Sequence, residues 1–164
     1  MTVQGESVCA DRMDGNEQSG VCPEGGIFMT DVDQRLLKEA KRAREFAYCR
    51  YSDFAVGAAV LAASGEIYGG CNIENASFSM TNCAERTAIF TAIASGEKEL
   101  LALAVVADTP EPVPPCGACR QVIAEFNITH IIMADMQGNV TEMSLDELLP
   151  GAFTHEVMEK TEEE

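Results

Sequence analysis

Residues 82–107 read NCAERTAIFTAIASGEKELLALAVVA. The first half has the marks of a helix from about Asn82 to Ser95, closed by Gly96, a residue suited to the left-handed turn that ends helices. The second half, Leu100 to Ala107, is a solid apolar run without alternation. Such a run reads as a central strand covered on both faces. A helix feeding a doubly covered strand places the chain in the α/β class.

The flanking sequence extends this pattern. Thr30 or Asp31 can cap a helix running to about Cys49, with Leu36, Leu37, Ala40, Ala43 and Ala47 on one stripe. Phe54 to Ala63 reads as a buried strand, Ser64-Gly65 as its hairpin turn, and Glu66 to Glu74 as the returning strand. After Pro110, Pro112, Pro114 and Pro115, a third helix is expected from about Cys116 to Phe126. Ile128 to Ala134 is a further strand. Gln137-Gly138 is a turn, Val140 to Met143 a short edge strand, and Ser144 to Leu149 a short helix. Helices interleaved with strands in this order predict a layered domain around a mixed sheet.

The 164 residues, 46% of them hydrophobic, suffice for a single core. Eleven basic against 27 acidic residues give a formal charge of −16, which argues against nucleic-acid and anionic-membrane partners. Residues 1–26 are expected to be a disordered extension, 27–154 the folded domain and 155–164 an acidic tail. Met1 to Gly26 has neither a basic start nor an apolar core of a signal peptide, so a cytoplasmic setting is expected. There the seven Cys point to metal or catalysis rather than disulfides. Cys9 and Cys22 lack ligand spacing and receive no role.

Three of the remaining Cys carry the chemistry. Cys83-Ala84-Glu85 opens one predicted helix and Pro115-Cys116-Gly117-Ala118-Cys119 opens the next. Cys116 and Cys119 are three apart and share a helix face. With Cys83 they make three protein ligands, which leaves zinc one open position for water, the catalytic arrangement. Helix starts favour thiolates through free N–H donors and the positive end of the dipole. Three thiolates overload the ion with negative charge, and Arg86 is the cation placed to draw it off from behind the ligands. Glu85 lies off the ligand stripe within the same turn, as suits a general acid–base beside a zinc-bound water. The spacing alone leaves open a structural zinc module or a redox pair at Cys116 and Cys119.

The pattern of Cys-x-Glu followed by Pro-Cys-x-x-Cys is the Cys₃ version of a zinc-deaminase signature. Together with FAVGAAV (54–60), CNIENASFSMTNCAERTAIF (71–90), PPCGACRQVIAEF (114–126) and ELLPGAF (147–153), it resembles the small homotetrameric cytidine deaminases from about Asp33 to Thr154. The resemblance implies a three-layer α/β/α fold with a five-stranded mixed sheet. It implies one zinc per subunit on Cys83, Cys116 and Cys119, with Glu85 catalytic. It implies that Asn72 and Glu74 hold the ribose 3′-hydroxyl, that Phe54 packs on the pyrimidine, and that the Ala84 backbone reads the base edge. Arg86 matches the thiolate-bonding arginine, Gln121 a residue near the zinc, and Phe153 an aromatic that reaches a neighbouring subunit's site. The implied reaction is hydrolysis of cytidine or 2′-deoxycytidine to the uridine product and ammonia, in pyrimidine salvage. Blasticidin and nucleic-acid editing deaminases share the zinc blocks; NIENASF and PGAF favour cytidine, and the charge disfavours editing. Phe78 stands where many relatives carry Tyr.

Overall fold

A computed structural model describes residues 29–155. The expected extension (1–26), with Cys9 and Cys22, and all but the first residue of the acidic tail lie outside the described residues. The elements are α1 (Asp31–Arg44), β1 (Val56–Ala62), β2 (Ile67–Cys71), a 3₁₀ turn (Phe78–Met80), α2 (Ala84–Ala94), β3 (Leu100–Ala107), α3 (Gly117–Glu125), β4 (His130–Ala134), β5 (Val140–Ser144) and α4 (Leu145–Leu148).

The strands form one five-stranded sheet in the order β2-β1-β3-β4-β5. β3 and β4 run parallel through the α3 crossover, and the other neighbours are antiparallel. The sheet is mixed, as expected, and β3 is its central strand. Side-chain alternation sorts the apolar run of β3 between two cores. Leu103 and Val105 join Ala58, Val60, Ile131 and Met133 beneath α2 and α3, whose Ile89 and Ile123 are buried with them. Ala102, Ala104 and Val106 join Ala59 and Ile132 beneath Leu36, Leu37 and Ala40 of α1. Helices therefore cover both faces, which gives three α/β/α layers and explains why β3 shows no polar alternation.

Two glycines set how closely helices approach the sheet. A Cβ on Gly57 would stand 2.0 Å from the Ala40 carbonyl of α1, and one on Gly70 would stand 2.2 Å from the Ala88 nitrogen of α2. Thr30 and Asp33 cap α1 reciprocally, and Ser144 and Glu147 do the same for α4.

Several boundaries shift by one or two residues, and two shift further. α1 stops at Arg44, five residues before Cys49, because the backbone of Tyr48 is drawn into pairing with the chain after β2. Its N–H donates to the Asn72 carbonyl (2.9 Å) and its carbonyl accepts from the Glu74 N–H (2.8 Å). The second strand ends at Cys71 rather than Glu74. Ile73 is instead held between Tyr48 and Asn82 by isolated bridges. Tertiary pairing thus overrides both local patterns and fixes the NIEN segment at the edge of the site.

Candidate active site

The N-termini of α2 and α3 meet over one end of the sheet. Cys83 and Cys116 occupy the capping positions, both with extended backbones and neither spending its side chain on a cap hydrogen bond. Their sulfurs are therefore free to face each other. Cys83 Sγ lies 3.8 Å from Cys116 Sγ, Cys116 Sγ lies 3.5 Å from Cys119 Sγ, and all three fall within 4.8 Å of one another. Sulfurs bound tetrahedrally to zinc at about 2.3 Å stand about 3.8 Å apart, so the spacing fits that ion.

The electrostatics fit as well. Cys83 is pulled down to about 5 by hydrogen bonds from the Cys119 thiol, Arg86 and Cys116, against its burial. Cys119 is pushed up by Cys83, by burial and by the charge of Glu85. Three crowded thiols thus resist becoming three thiolates until a cation joins them. Arg86 Nη2 donates to Cys83 Sγ (3.4 Å) and to the Thr81 carbonyl (3.2 Å). Arg86 Nε is buried with no hydrogen-bond partner among the described residues. The guanidinium gains most when the sulfurs carry charge.

A cavity of about 310 Å³ opens beside the sulfurs. Phe54, Asn72, Glu74, Cys83, Ala84, Glu85 and Cys116 all line it. Glu85, in the first turn of α2, is buried, and that burial raises its carboxyl above the ordinary value. Asn72 is also buried, and its amide is largely spoken for. Its Nδ2 donates to the Phe54 carbonyl (2.8 Å) and its Oδ1 accepts from the Val56 N–H (2.9 Å). Those bonds leave one amide N–H of Asn72, a residue of the cavity wall. Glu74 accepts from the Ser52 hydroxyl, from the Tyr51 N–H (2.8 Å) and from the Ser52 N–H (3.3 Å). Those donors, the Ser52 hydroxyl foremost, hold it below the usual carboxylate range. It stands ready as an ionised acceptor.

Arg86, Cys119, Gln121 and Phe153 do not line the cavity. Gln121 Nε2 donates to the Phe153 carbonyl (2.7 Å), and the Phe153 ring is exposed. Arg120 ties the same region down by donating to the Leu148 carbonyl (2.7 Å). Phe78 is exposed and meets the Tyr51 ring edge-on at 5.8 Å. Ser52, Val56, Thr81, Val105, Val113 and Pro114 also line the cavity and were not singled out in the sequence. Ser52 could have been found, since a hydroxyl two residues before Phe54 can cap an acceptor. The others carry no motif and are placed by the fold.

The profile described as the cytidine and deoxycytidylate deaminase zinc-binding region matches residues 30–135. The chain belongs to this deaminase family. A cytidine deaminase of Halalkalibacterium halodurans is 56% identical over 127 residues, covering 76% of this chain and 96% of that one. One from Sporosarcina psychrophila is 56% identical over 125 residues, covering 75% and 92%. The crystal structure of cytidine deaminase from Burkholderia pseudomallei superposes with a TM-score of 0.72 at 47% identity, covering 76% of this chain and all of that one. Zinc is the cofactor of the family region, and the Cys83, Cys116 and Cys119 sulfurs are a donor set able to hold it.

Proposed function

We propose that this chain hydrolyses cytidine and 2′-deoxycytidine to uridine and 2′-deoxyuridine, releasing ammonia, and so serves pyrimidine salvage. The observation that carries the reading is the buried Glu85 carboxyl on the wall of the same cavity that holds two of three convergent sulfurs. Zinc on Cys83, Cys116 and Cys119 supplies Lewis acidity beside that carboxyl.

The side chains divide the remaining work. Glu85 accepts a proton from the attacking water and passes it to the ring nitrogen N3. It then transfers the water's second proton to the leaving amine, so that C4 gains oxygen and loses ammonia. A carboxyl raised by burial suits both directions of transfer. Phe54 packs on the pyrimidine face. Ala84 presents its backbone to the base edge at the start of α2, where helix N–H groups lack partners. The remaining Asn72 amide N–H and the ionised Glu74 grip the 3′-hydroxyl, one donating and the other accepting. Arg86 holds Cys83 from behind and draws charge from its sulfur. Gln121 acts at one remove, fixing the backbone at Phe153.

A homotetramer in which Phe153 reaches a neighbour's site completes the reading. Phe46, Phe78, Met80 and Phe153 are all largely exposed on the single chain, which supports a covered surface in the assembly. Five free thiols among the described residues support a reducing cytoplasmic setting. The charge of −16 supports a small nucleoside rather than a nucleic acid as substrate.

The test is Glu85→Gln, which keeps size and removes proton transfer. Zinc content and melting are expected to stay near wild type while cytidine turnover, followed by absorbance, falls by about 10²–10⁴-fold or more. Wild-type protein loaded with zinc but inert on cytidine would defeat the proposal. Full activity in the variant would defeat the role of Glu85.

A further inference from the structure

On the opposite face of the sheet from the cavity, three donors of a second kind converge. Asp33 lies in the first turn of α1, His130 at the start of β4 and Glu142 within β5. The register brings the last two together. Ile132 pairs with Glu142 and His130 with Ser144, so His130 and Glu142 are diagonal neighbours on one sheet face. That face is the one α1 covers, since Ile132 packs there with Leu36 and Leu37. Asp33 descends onto it from above.

The ligand atoms of Asp33, His130 and Glu142 all lie within 4.8 Å of one another. Asp33 divides its carboxylate between two tasks. Oδ2 accepts from the Thr30 N–H (2.9 Å) and hydroxyl (2.7 Å), while Oδ1 faces His130 Nε2 at 3.2 Å. Glu142 Oε1 is buried and has no hydrogen-bond partner among the described residues. A proton shared by Asp33 and His130 satisfies those two and leaves Glu142 Oε1 unmatched, an arrangement that disfavours folding. A dication satisfies all three, and two carboxylates with a neutral imidazole cancel its charge. Donors around such an ion at about 2.1 Å stand about 3.0–3.4 Å apart, the separation Asp33 and His130 already have.

We propose that Asp33, His130 and Glu142 form a second metal site, for a divalent first-row transition ion such as zinc. The nitrogen donor selects against magnesium and calcium. His130 is 40% exposed and gives the ion a path in from solvent. The bound ion staples the start of α1 to β4 and β5, away from the cavity, and the count of two ions below rests on the zinc proposed above for the three sulfurs.

The experiment counts metal in the full chain after equilibration with micromolar Zn²⁺ and removal of excess. Two zinc ions per chain are expected in the wild type, and one in each of His130→Ala and Glu142→Gln, with cytidine turnover retained in both. Zinc in hundredfold excess over its Kd is expected to raise the wild-type Tm by about 5–10 °C beyond the shift seen in the variants. Glu142→Gln keeps the shape of the side chain, so its retained single zinc and turnover report an intact fold. One zinc per chain in the wild type would overturn the proposal, as would a second zinc that both variants still hold.

Discussion

Gly70→Ala separates the placement of the site from the stability of the fold. The added Cβ would lie 2.2 Å from the Ala88 nitrogen and 2.7 Å from the Ala84 carbonyl, both backbone atoms of α2. Ordinary contact begins at 3.4 Å, and 3.4 − 2.2 leaves about 1.2 Å for α2 to give way. Overpacking of this kind destabilises by about 1–3 kcal/mol, or about 3–10 °C in Tm for a chain of this size. The catalytic effect is expected to be larger. Cys83 caps α2 and Glu85 lies in its first turn, whereas Cys116 and Cys119 belong to α3 and stay in place. A misplacement near 1 Å reduces rates by about 10²-fold. The assay is kcat/KM on cytidine in parallel with zinc content and melting. Gly57→Ala is the control. Its Cβ meets α1, 2.0 Å from the Ala40 carbonyl, and no residue of α1 lines the cavity. It is expected to lower Tm comparably while kcat/KM stays within about tenfold. Equal activity loss in both variants, or wild-type kcat/KM in Gly70→Ala, would refute the reasoning.

Three further outcomes are expected. Arg86→Gln removes the donor to Cys83 Sγ and the Thr81 carbonyl, and its zinc affinity, measured by competition with a chelator, should fall by about 10–100-fold. Phe54→Ala should raise KM for cytidine about tenfold with a smaller change in kcat, matching the loss of one stacking contact; an unchanged KM would remove Phe54 from the pocket's function. Burial would raise the Asp135 carboxyl, but the Asn139 amide and the backbone N–H groups of Asn139, Gly138 and Gln137 outweigh it and hold it below the ordinary value. Asp33 is likewise lowered, with burial outweighed by bonds from Thr30 and His130. Both groups lend stability above the unfolded carboxylate pKa of about 3.9 that is lost as pH falls through their lower folded values. Melting should therefore drop steeply below about pH 4, and Asp135→Ala should flatten that drop while lowering Tm at pH 7 by about 5 °C.

Much of the fold was legible because the apolar stripe of α1 and the unbroken apolar run of β3 are both strong signals. Leu100 to Ala107 forms β3 over the residues the apolar run marks, and Gly96 (φ +100°) closes the turn after α2. The end of α1 was not legible, because Tyr48 leaves the helical pattern for a backbone partner far along the chain, and helical spacing carries no trace of it. The sulfur cluster was legible from spacing and the charge problem it creates. What spacing withholds is the cavity's other wall. Val105, Val113 and Pro114 reach it through the crossing of β3 and the proline loop, a matter of topology. The Asp33, His130 and Glu142 cluster was hidden for the same reason. Its members are 97 and 12 residues apart along the chain, from 33 to 130 and from 130 to 142, and only the β4–β5 register and the packing of α1 over it make them neighbours.

The three sulfurs sit on the caps and first turn of two helices separated in the chain by β3 and the proline loop. During synthesis Cys83 leaves the ribosome well before Cys119, and a nascent chain that stops short of α3 has a single donor to offer. The three-sulfur set is therefore complete only once α3 has been made, after the central strand that joins the two helices. A chain truncated within the proline loop would offer Cys83 alone and is expected to hold no zinc there.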